Sequence, residues 1–188
     1  MRYFLGFLAA VGLVVLVFIL VLRAFTSHGP KAVKQAPLSD YTYTDTVMRL
    51  TMDGPIDADA THQRARITVG RNEITYELMQ GYEGTLTDFK KYTNNQEAYA
   101  NFLRALQLAG YTKGSTDAAR ADERGYCPTG NRYVYEIVSS DNAAVQRYWS
   151  TTCGNAGGTF GGSAGSVRQL FKNQIADWDQ ISSKLRVQ

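Results

Sequence analysis

The hydrophobic positions of this 188-residue chain fall into two regimes: an unbroken apolar run near the start, and mixed apolar and polar positions after it. Residues 3–22 read YFLGFLAAVGLVVLVFILVL and include no charged side chain. As a helix, which rises about 1.5 Å per residue, this run would extend about 30 Å, the thickness of a bilayer's hydrocarbon core. The run is long for the apolar core of a cleaved signal peptide, and no Ala-x-Ala site follows it. We therefore expect residues 1–22 to form a single transmembrane anchor that contacts membrane lipid through residues 3–22.

Residues 23–40 separate the apolar run from the rest of the chain. They hold two of the four prolines and show little apolar periodicity. We expect a flexible linker with a root-mean-square span of about 25 Å. The remaining residues, 41–188, are numerous enough for one domain with a core of its own, and we expect no second domain.

Alternating apolar and polar positions, which are typical of half-buried strands, occur five times in the domain. The second and third of these segments flank the four residues Gly70–Glu73 and therefore predict a hairpin. The glycine-containing segment GYEGT after the third reads as a turn. The predicted strands are residues 44–52, 64–69, 74–79, 132–139 and 145–152.

Apolar residues recur at helical spacing in two places. The first helix begins after Asn94 or Asn95, either of which can cap it, and runs to about Ala109. In the second, Ser166 and Gln169 have the spacing of a capping box, and an apolar stripe follows. The order of these elements predicts an α+β fold, in which the transmembrane helix is followed by an antiparallel sheet of about five strands with two helices packed on one face.

The charge distribution bears on the partner. The chain carries a net charge of +3, yet residues 41–188 contain sixteen Lys and Arg and sixteen Asp and Glu. The excess therefore comes from the residues that flank the apolar run, where basic side chains suit anionic lipid headgroups. Because the domain itself has no excess of basic residues, the electrostatic basis for nucleic-acid binding is missing, and we expect no nucleic-acid partner.

The two cysteines, Cys127 and Cys153, indicate the compartment. A disulfide between them would close a loop of about 26 residues and add about 3 to 4 kcal/mol of stability, but it would persist only in an oxidising compartment. The flanking charges alone mildly favour a cytoplasmic domain, although long translocated domains follow such charges only loosely. We therefore expect a disulfide and an extracytoplasmic domain.

No set of residues identifies a reaction, and we assign no catalytic residue. A hydrolase of the serine or cysteine kind needs a histidine beside its nucleophile. The two histidines are His28, in the linker, and His62, which we expect at the surface in a turn. Paired carboxylates can cleave glycosides, and Glu123, Glu136 and Asp141 lie in one part of the chain, so they form a candidate carboxylate site.

Two further segments carry residues suited to ions. The glycine-rich loop 154–165 leads into a helix N-terminus, where backbone amides favour anions, and Gly162, Gly165 and Ser166 are the candidate anion-binding residues. The loop fits neither phosphate-binding fingerprint. The acidic turn at residues 53–59 offers oxygen ligands to calcium, but it lacks the spacing of the known calcium loop, and we expect a plain acidic turn. We expect neither a metal nor a cofactor.

These observations favour a single-pass, membrane-anchored, extracytoplasmic binding or scaffold module of the cell envelope, whose partner is a protein or the cell wall. A membrane-tethered hydrolase of an envelope polymer, using the candidate carboxylates, is the main alternative. A minor pilin-like subunit would share the apolar N-terminal helix and the late disulfide loop. That alternative lacks the expected glutamate near the start of the apolar run, and the prolines of the linker would interrupt its long helix.

Overall fold

A computed structural model describes residues 12–13, 15–16, 37–154 and 157–185. Nearly all of the predicted anchor, and the predicted linker up to residue 36, lie outside the described residues. Within the described ranges, no helix is long and apolar enough to cross a membrane. The chain divides into two units, residues 1–35 and 36–188, and the architecture that follows belongs to the second.

The α+β class predicted from the sequence is confirmed, and the strands form one antiparallel sheet. The strands occur in the spatial order β4-β3-β2-β1-β5-β6, so the first four make a meander and β5 adds to the free side of β1. The strands are β1 Val47–Asp53, β2 Gln63–Val69, β3 Glu73–Gln80, β4 Thr85–Thr93, β5 Arg132–Val138 and β6 Ala144–Thr151.

The sheet has six strands where about five were predicted, because the sequence pattern does not reveal β4. This strand lies at one edge of the sheet, and most of its residues are exposed. Its register on β3 is also interrupted by a bulge between Leu78 and Met79. A strand with water on its outer side and a bulge in its pairing need not alternate apolar and polar residues, so it lacks the period-2 signal by which the other five were predicted.

The inner face of the sheet forms the core with the helices. In β1, Met48, Leu50 and Met52 are fully buried, as the alternation predicted. Leu50 lies opposite Ile67 on β2 and Tyr135 on β5, so the inward positions of three central strands form one apolar layer. The helices that cover this layer are α1 Gln96–Leu108, α2 Ala164–Lys172 and the short α3 Trp178–Ser182, with additional 3-10 helices at Leu38–Tyr43 and Ala118–Arg120.

The helix boundaries partly match the predicted caps. Asn95 caps α1, since its side chain accepts a hydrogen bond from the Ala98 N–H at 3.0 Å. The second predicted helix is instead two helices, α2 and α3. The predicted capping box at Ser166 is wrong, because α2 begins earlier, with Ser163 at the N-cap position and Ser166 inside the helix.

A segment between α1 and β5 covers part of the outer face of the sheet. Trp149 on β6 is fully buried there, and its indole Nε1 donates to the Arg120 carbonyl at 2.7 Å while Tyr126 packs on its ring. Cys127 and Cys153 lie at disulfide bonding distance and connect this segment to the end of β6. The predicted cysteine pair is therefore present.

Candidate functional site

Two of the three candidate carboxylates converge on one arginine. Arg147 on β6 donates through Nη2 to Glu123, and its Nε lies 3.5 Å from Oε1 of Glu136. Arg49 on β1 also approaches Glu136, at 3.9 Å. A glycosidase needs the space between its two carboxylates for the glycosidic bond and a water. Because the Arg147 guanidinium contacts both glutamates, this arrangement favours an ion-pair network on the outer face of the sheet.

The third candidate carboxylate, Asp141, lies in the turn between β5 and β6. It accepts hydrogen bonds from the Ser139 hydroxyl and from the Ala143 N–H. The hydrogen bond from Ser139 holds the pKa of Asp141 below its ordinary value. Its described hydrogen bonds remain within this turn, so the structure does not bring Asp141 together with the two glutamates.

The glycines of the loop before α2 permit close packing of backbone on backbone. A Cβ on Gly158 would lie 1.9 Å from the Trp149 carbonyl oxygen, and a Cβ on Gly162 would lie 2.4 Å from the Gly110 carbonyl oxygen. The same loop hydrogen-bonds to β6, where the Phe160 N–H donates to the Trp149 carbonyl at 2.9 Å. Two of these glycines are therefore explained by contacts that no side chain would allow.

The candidate anion-binding residues Gly162, Gly165 and Ser166 do lie at the start of α2. The Ser166 hydroxyl is 2.8 Å from the Ser163 hydroxyl, and a Cβ on Gly165 would meet nothing within 4 Å. A shallow groove of about 690 Å³ lies beside Gly165 and Ser166, and the described residues that line it include no basic side chain. Anion binding at this place stays a prediction.

His62 is buried, so the prediction of a surface turn residue is wrong. Its ring is 1% exposed and stacks on Tyr82, with ring centroids 4.2 Å apart. One ring nitrogen, Nδ1, lies 3.0 Å from the Pro55 carbonyl, and the other, Nε2, lies 3.0 Å from Oδ1 of Asp53. Arg132, itself 3% exposed, pairs with Oδ2 of the same aspartate at 2.8 Å. These side chains form a closed polar cluster, which the sequence did not reveal.

The acidic turn after β1 does not gather its carboxylates. Asp53 is engaged by the arginines beside it, whereas Asp59 accepts a hydrogen bond from the Tyr82 N–H at 2.7 Å. Among residues 37–154 and 157–185, no group of three or more His, Cys, Asp or Glu is placed to hold a metal ion. The calcium alternative therefore gains no support.

The side of β4, residues 85–93, that faces away from β3 is uncovered by the described chain, and we call it the β4 edge. Leu86 and Phe89 on β4 are 54% and 48% exposed, and no described strand pairs with this side. At the opposite edge of the sheet, residues 159–160 hydrogen-bond to Trp149 on β6. An uncovered edge presents main-chain N–H and C=O groups that can accept a further strand.

Two polar groups at the β4 edge, the Asp88 carboxylate and the Tyr76 hydroxyl beneath it, lack partners among the described residues. Asp88 and Lys90 share the inner face of the sheet because they lie opposite Leu78 and Tyr76 of the core. The buried Tyr76 hydroxyl makes no hydrogen bond to a described residue. Burial raises the pKa of Tyr76 well above its ordinary value, and the nearby Asp88 carboxylate raises it further. Within the described part of the chain, the Asp88 carboxylate has neither an ion pair nor a hydrogen bond. A partner that binds this edge could therefore supply a cation or a hydrogen-bond donor to it.

An acid-dependent contact connects β4 to the residue before α3. The Tyr92 hydroxyl donates to Asp177 and holds the pKa of that carboxyl below its ordinary value, with Lys90 3.8 Å away on the other oxygen. A carboxyl whose pKa is lower in the folded chain adds stability above its unfolded pKa, about 3.9, and loses it as the pH falls through the folded value. In Tyr92→Phe, we expect the stability deficit at pH 7 to shrink as the pH falls from about 4 to 2.5, measured as unfolding midpoints across that series.

The matched control for this prediction is Tyr43→Phe. Tyr43 is 74% exposed, and its hydroxyl has no described hydrogen bond, so its removal should leave the midpoints unchanged at every pH. A Tyr92→Phe deficit that stays constant from pH 7 to pH 2.5 would show that the hydrogen bond does not affect Asp177.

No protein-family model matches the chain, and no curated protein matches it either.

Proposed function

We propose that this chain is a single-pass, membrane-anchored, extracytoplasmic binding or scaffold module of the cell envelope, and that it contacts its partner through the β4 edge. The anchor is the apolar run at residues 3–22, whose length suits one membrane crossing. The partner is an envelope protein or the cell wall. This role requires a stable domain with an accessible contact surface, and it needs no reaction.

The uncovered β4 edge is the observation that carries the binding role. Exposed apolar side chains on an open strand edge invite association, and natural proteins usually shorten, charge or cover such edges. Here the strand has nine residues, and it keeps Leu86 and Phe89 exposed on one side of an open backbone. A partner that adds a strand would satisfy the backbone and cover these side chains together.

The cysteine pair supports the compartment. Cys127 lies in a turn and Cys153 lies just after β6, so a bond between them would tie a long covering segment to the sheet. Such bonds persist in oxidising compartments and are rare in the cytosol. An extracytoplasmic location is the environment in which this connection would last.

Right-side-out membrane vesicles that contain the full-length chain test the anchor and the compartment. We expect the chain to stay with the membranes after a carbonate wash. We expect a membrane-impermeant maleimide to label it only after treatment with an impermeant reductant and mild denaturation. Recovery of the chain in the wash would remove the anchor from the proposal, and free thiols without reduction would remove the oxidising compartment.

A photo-reactive amino acid at position 89 tests the binding surface in the full-length, membrane-held chain. We expect a cross-linked product from this position and none from position 145. Val145 is the matched control because it is 57% exposed on β6, away from the β4 edge. Equal cross-linking at both positions, or none at position 89, would contradict the proposed surface. Hydrolysis of purified cell-wall polymer that is lost in Glu136→Gln would instead favour the carboxylate alternative.

A further inference from the structure

We infer that the occupant of the β4 edge is a second copy of this chain, which pairs its own β4 antiparallel to the first about a twofold axis at Phe89. This inference rests on the proposed function, because it names the partner of the same surface. The two sheets would join into one continuous sheet of twelve strands, given six strands per copy. Each copy would use the same patch, as twofold symmetry requires.

Charge complementarity selects this register. With Phe89 on the axis, Asp88 of each copy lies opposite Lys90 of the other, and both members lie on the inner face. Opposite charges directly across an antiparallel pair stabilise it, whereas like charges destabilise it. A pairing centred on Lys90 or on Lys91 would set that lysine against its own copy.

The same register gives a partner to Asp88, the charged group of this edge that lacks one among the described residues of one copy. Asp88 is a half-buried carboxylate without a cation among the described residues, and Lys90 is 44% exposed with its Nζ as far as 3.8 Å from Asp177. Lys90 of the second copy would give Asp88 the cation it lacks. An opposite charge directly across the strand pair is stabilising, so this contact favours association.

The centre of the interface is aromatic. Phe89 lies on the outer face, opposite Glu77, and is 48% exposed in one copy. On the axis, its Cβ would lie about 4.5 to 5.5 Å from the Cβ of the other Phe89, which is the distance of a direct cross-strand neighbour. Such aromatic pairs add to the stability of the strands that carry them.

Charge exchange in the full-length, detergent-solubilised chain tests the register. We expect Asp88→Lys and Lys90→Asp each to weaken the dimer by about tenfold in sedimentation equilibrium, because each sets like charges together twice across the axis. The double exchange, Asp88→Lys with Lys90→Asp, should restore the dimer to within about threefold of the original. Val145→Lys on the other edge should leave the dimer unchanged. If the double exchange stays monomeric while its thermal unfolding matches the original, the register is wrong.

A cysteine at position 89 tests the same register independently of the charged variants. We expect Phe89→Cys to form a reducible dimer in membranes under mild oxidation, because the two residues face each other on the axis, and we expect Val145→Cys to form none. Photo-cross-linking from position 89 to a different envelope protein, with a monomeric chain in detergent, would overturn this inference and leave the proposed function standing. A dimer that forms although the carbonate wash extracts the chain would support the inference while the proposed anchor fails.

Discussion

Replacement of Gly158 by alanine is expected to destabilise the domain by about 3 kcal/mol or more. The added Cβ would lie 1.9 Å from the Trp149 carbonyl oxygen and 2.8 Å from the Ser150 Cα, so it would clash with the backbone of β6. Relief requires separation of the loop from β6, which would break the hydrogen bond from Phe160 to Trp149. The thermal unfolding midpoint should fall by about 6 to 12 °C, which near-ultraviolet circular dichroism of the full-length chain in detergent would measure.

Gly165→Ala is the matched control for that substitution. Gly165 lies in α2, only seven residues further along the chain, and a Cβ there would meet nothing within 4 Å. Alanine is also the better helix former, by about 1 kcal/mol, so this variant should be as stable as the original or slightly more so. Equal losses in the two variants would mean that the loop does not depend on close backbone contact at Gly158.

The class of fold could be predicted because apolar residues recur at strand or helix spacing on the buried faces of five strands and of the helices. Met48, Leu50 and Met52 alternate with polar residues because one face of β1 packs on the core. Along β4, Leu86 and Phe89 are three residues apart on either side of the bulge, so the period-2 signal is lost there. The bulge therefore explains why the sequence pattern did not predict β4 and its uncovered edge.

The buried polar cluster could not be predicted because it depends on strand register. Asp53 lies directly opposite Arg64 on β2 and directly opposite Arg132 on β5. The first pairing joins consecutive strands, β1 and β2, which are separated by a short connection. The second joins β1 to β5, which are far apart in the sequence and have no hairpin signal between them. A histidine in a turn-rich segment reads as exposed until Asp53 and Tyr82 are seen around it.

The glycine-rich loop shows the same limit. Its composition marked it as unusual, but the number of glycines alone does not distinguish an anion-binding loop from a closely packed one. The contacts that explain Gly158 and Gly162 come from the Trp149 and Gly110 carbonyls, which lie on other elements. Only the packing of β6 and of the end of α1 against the loop reveals them.

Asp53→Ala is expected to cost about 3 to 5 kcal/mol, because it would leave a buried cation without its carboxylate. Arg132 is 3% exposed and pairs with Asp53 at 2.8 Å, while Arg64 and His62 contact the other carboxylate oxygen at 3.2 and 3.0 Å. Although Arg132 also donates to the Gly54 carbonyl at 2.6 Å, a neutral acceptor cannot replace the charge. The expected result is a much lower urea concentration at the unfolding midpoint, with little change in the dependence of the unfolding free energy on urea concentration.

The exposed pair Asp122–Arg124 is the control that separates the effect of burial from the effect of the ion pair itself. Arg124 Nη2 lies 2.5 Å from Asp122 Oδ2, so the contact is as close as the one at Asp53, but the two side chains are 85% and 50% exposed. Water replaces the lost carboxylate there, so Asp122→Ala should leave the unfolding midpoint unchanged within error. A double variant that converts both Asp53 and Arg132 to apolar residues should recover part of the loss, because it removes the stranded cation as well. If Asp53→Ala were as mild as Asp122→Ala, Arg132 would have to reach water in the folded chain, and the closed cluster described above would be incorrect.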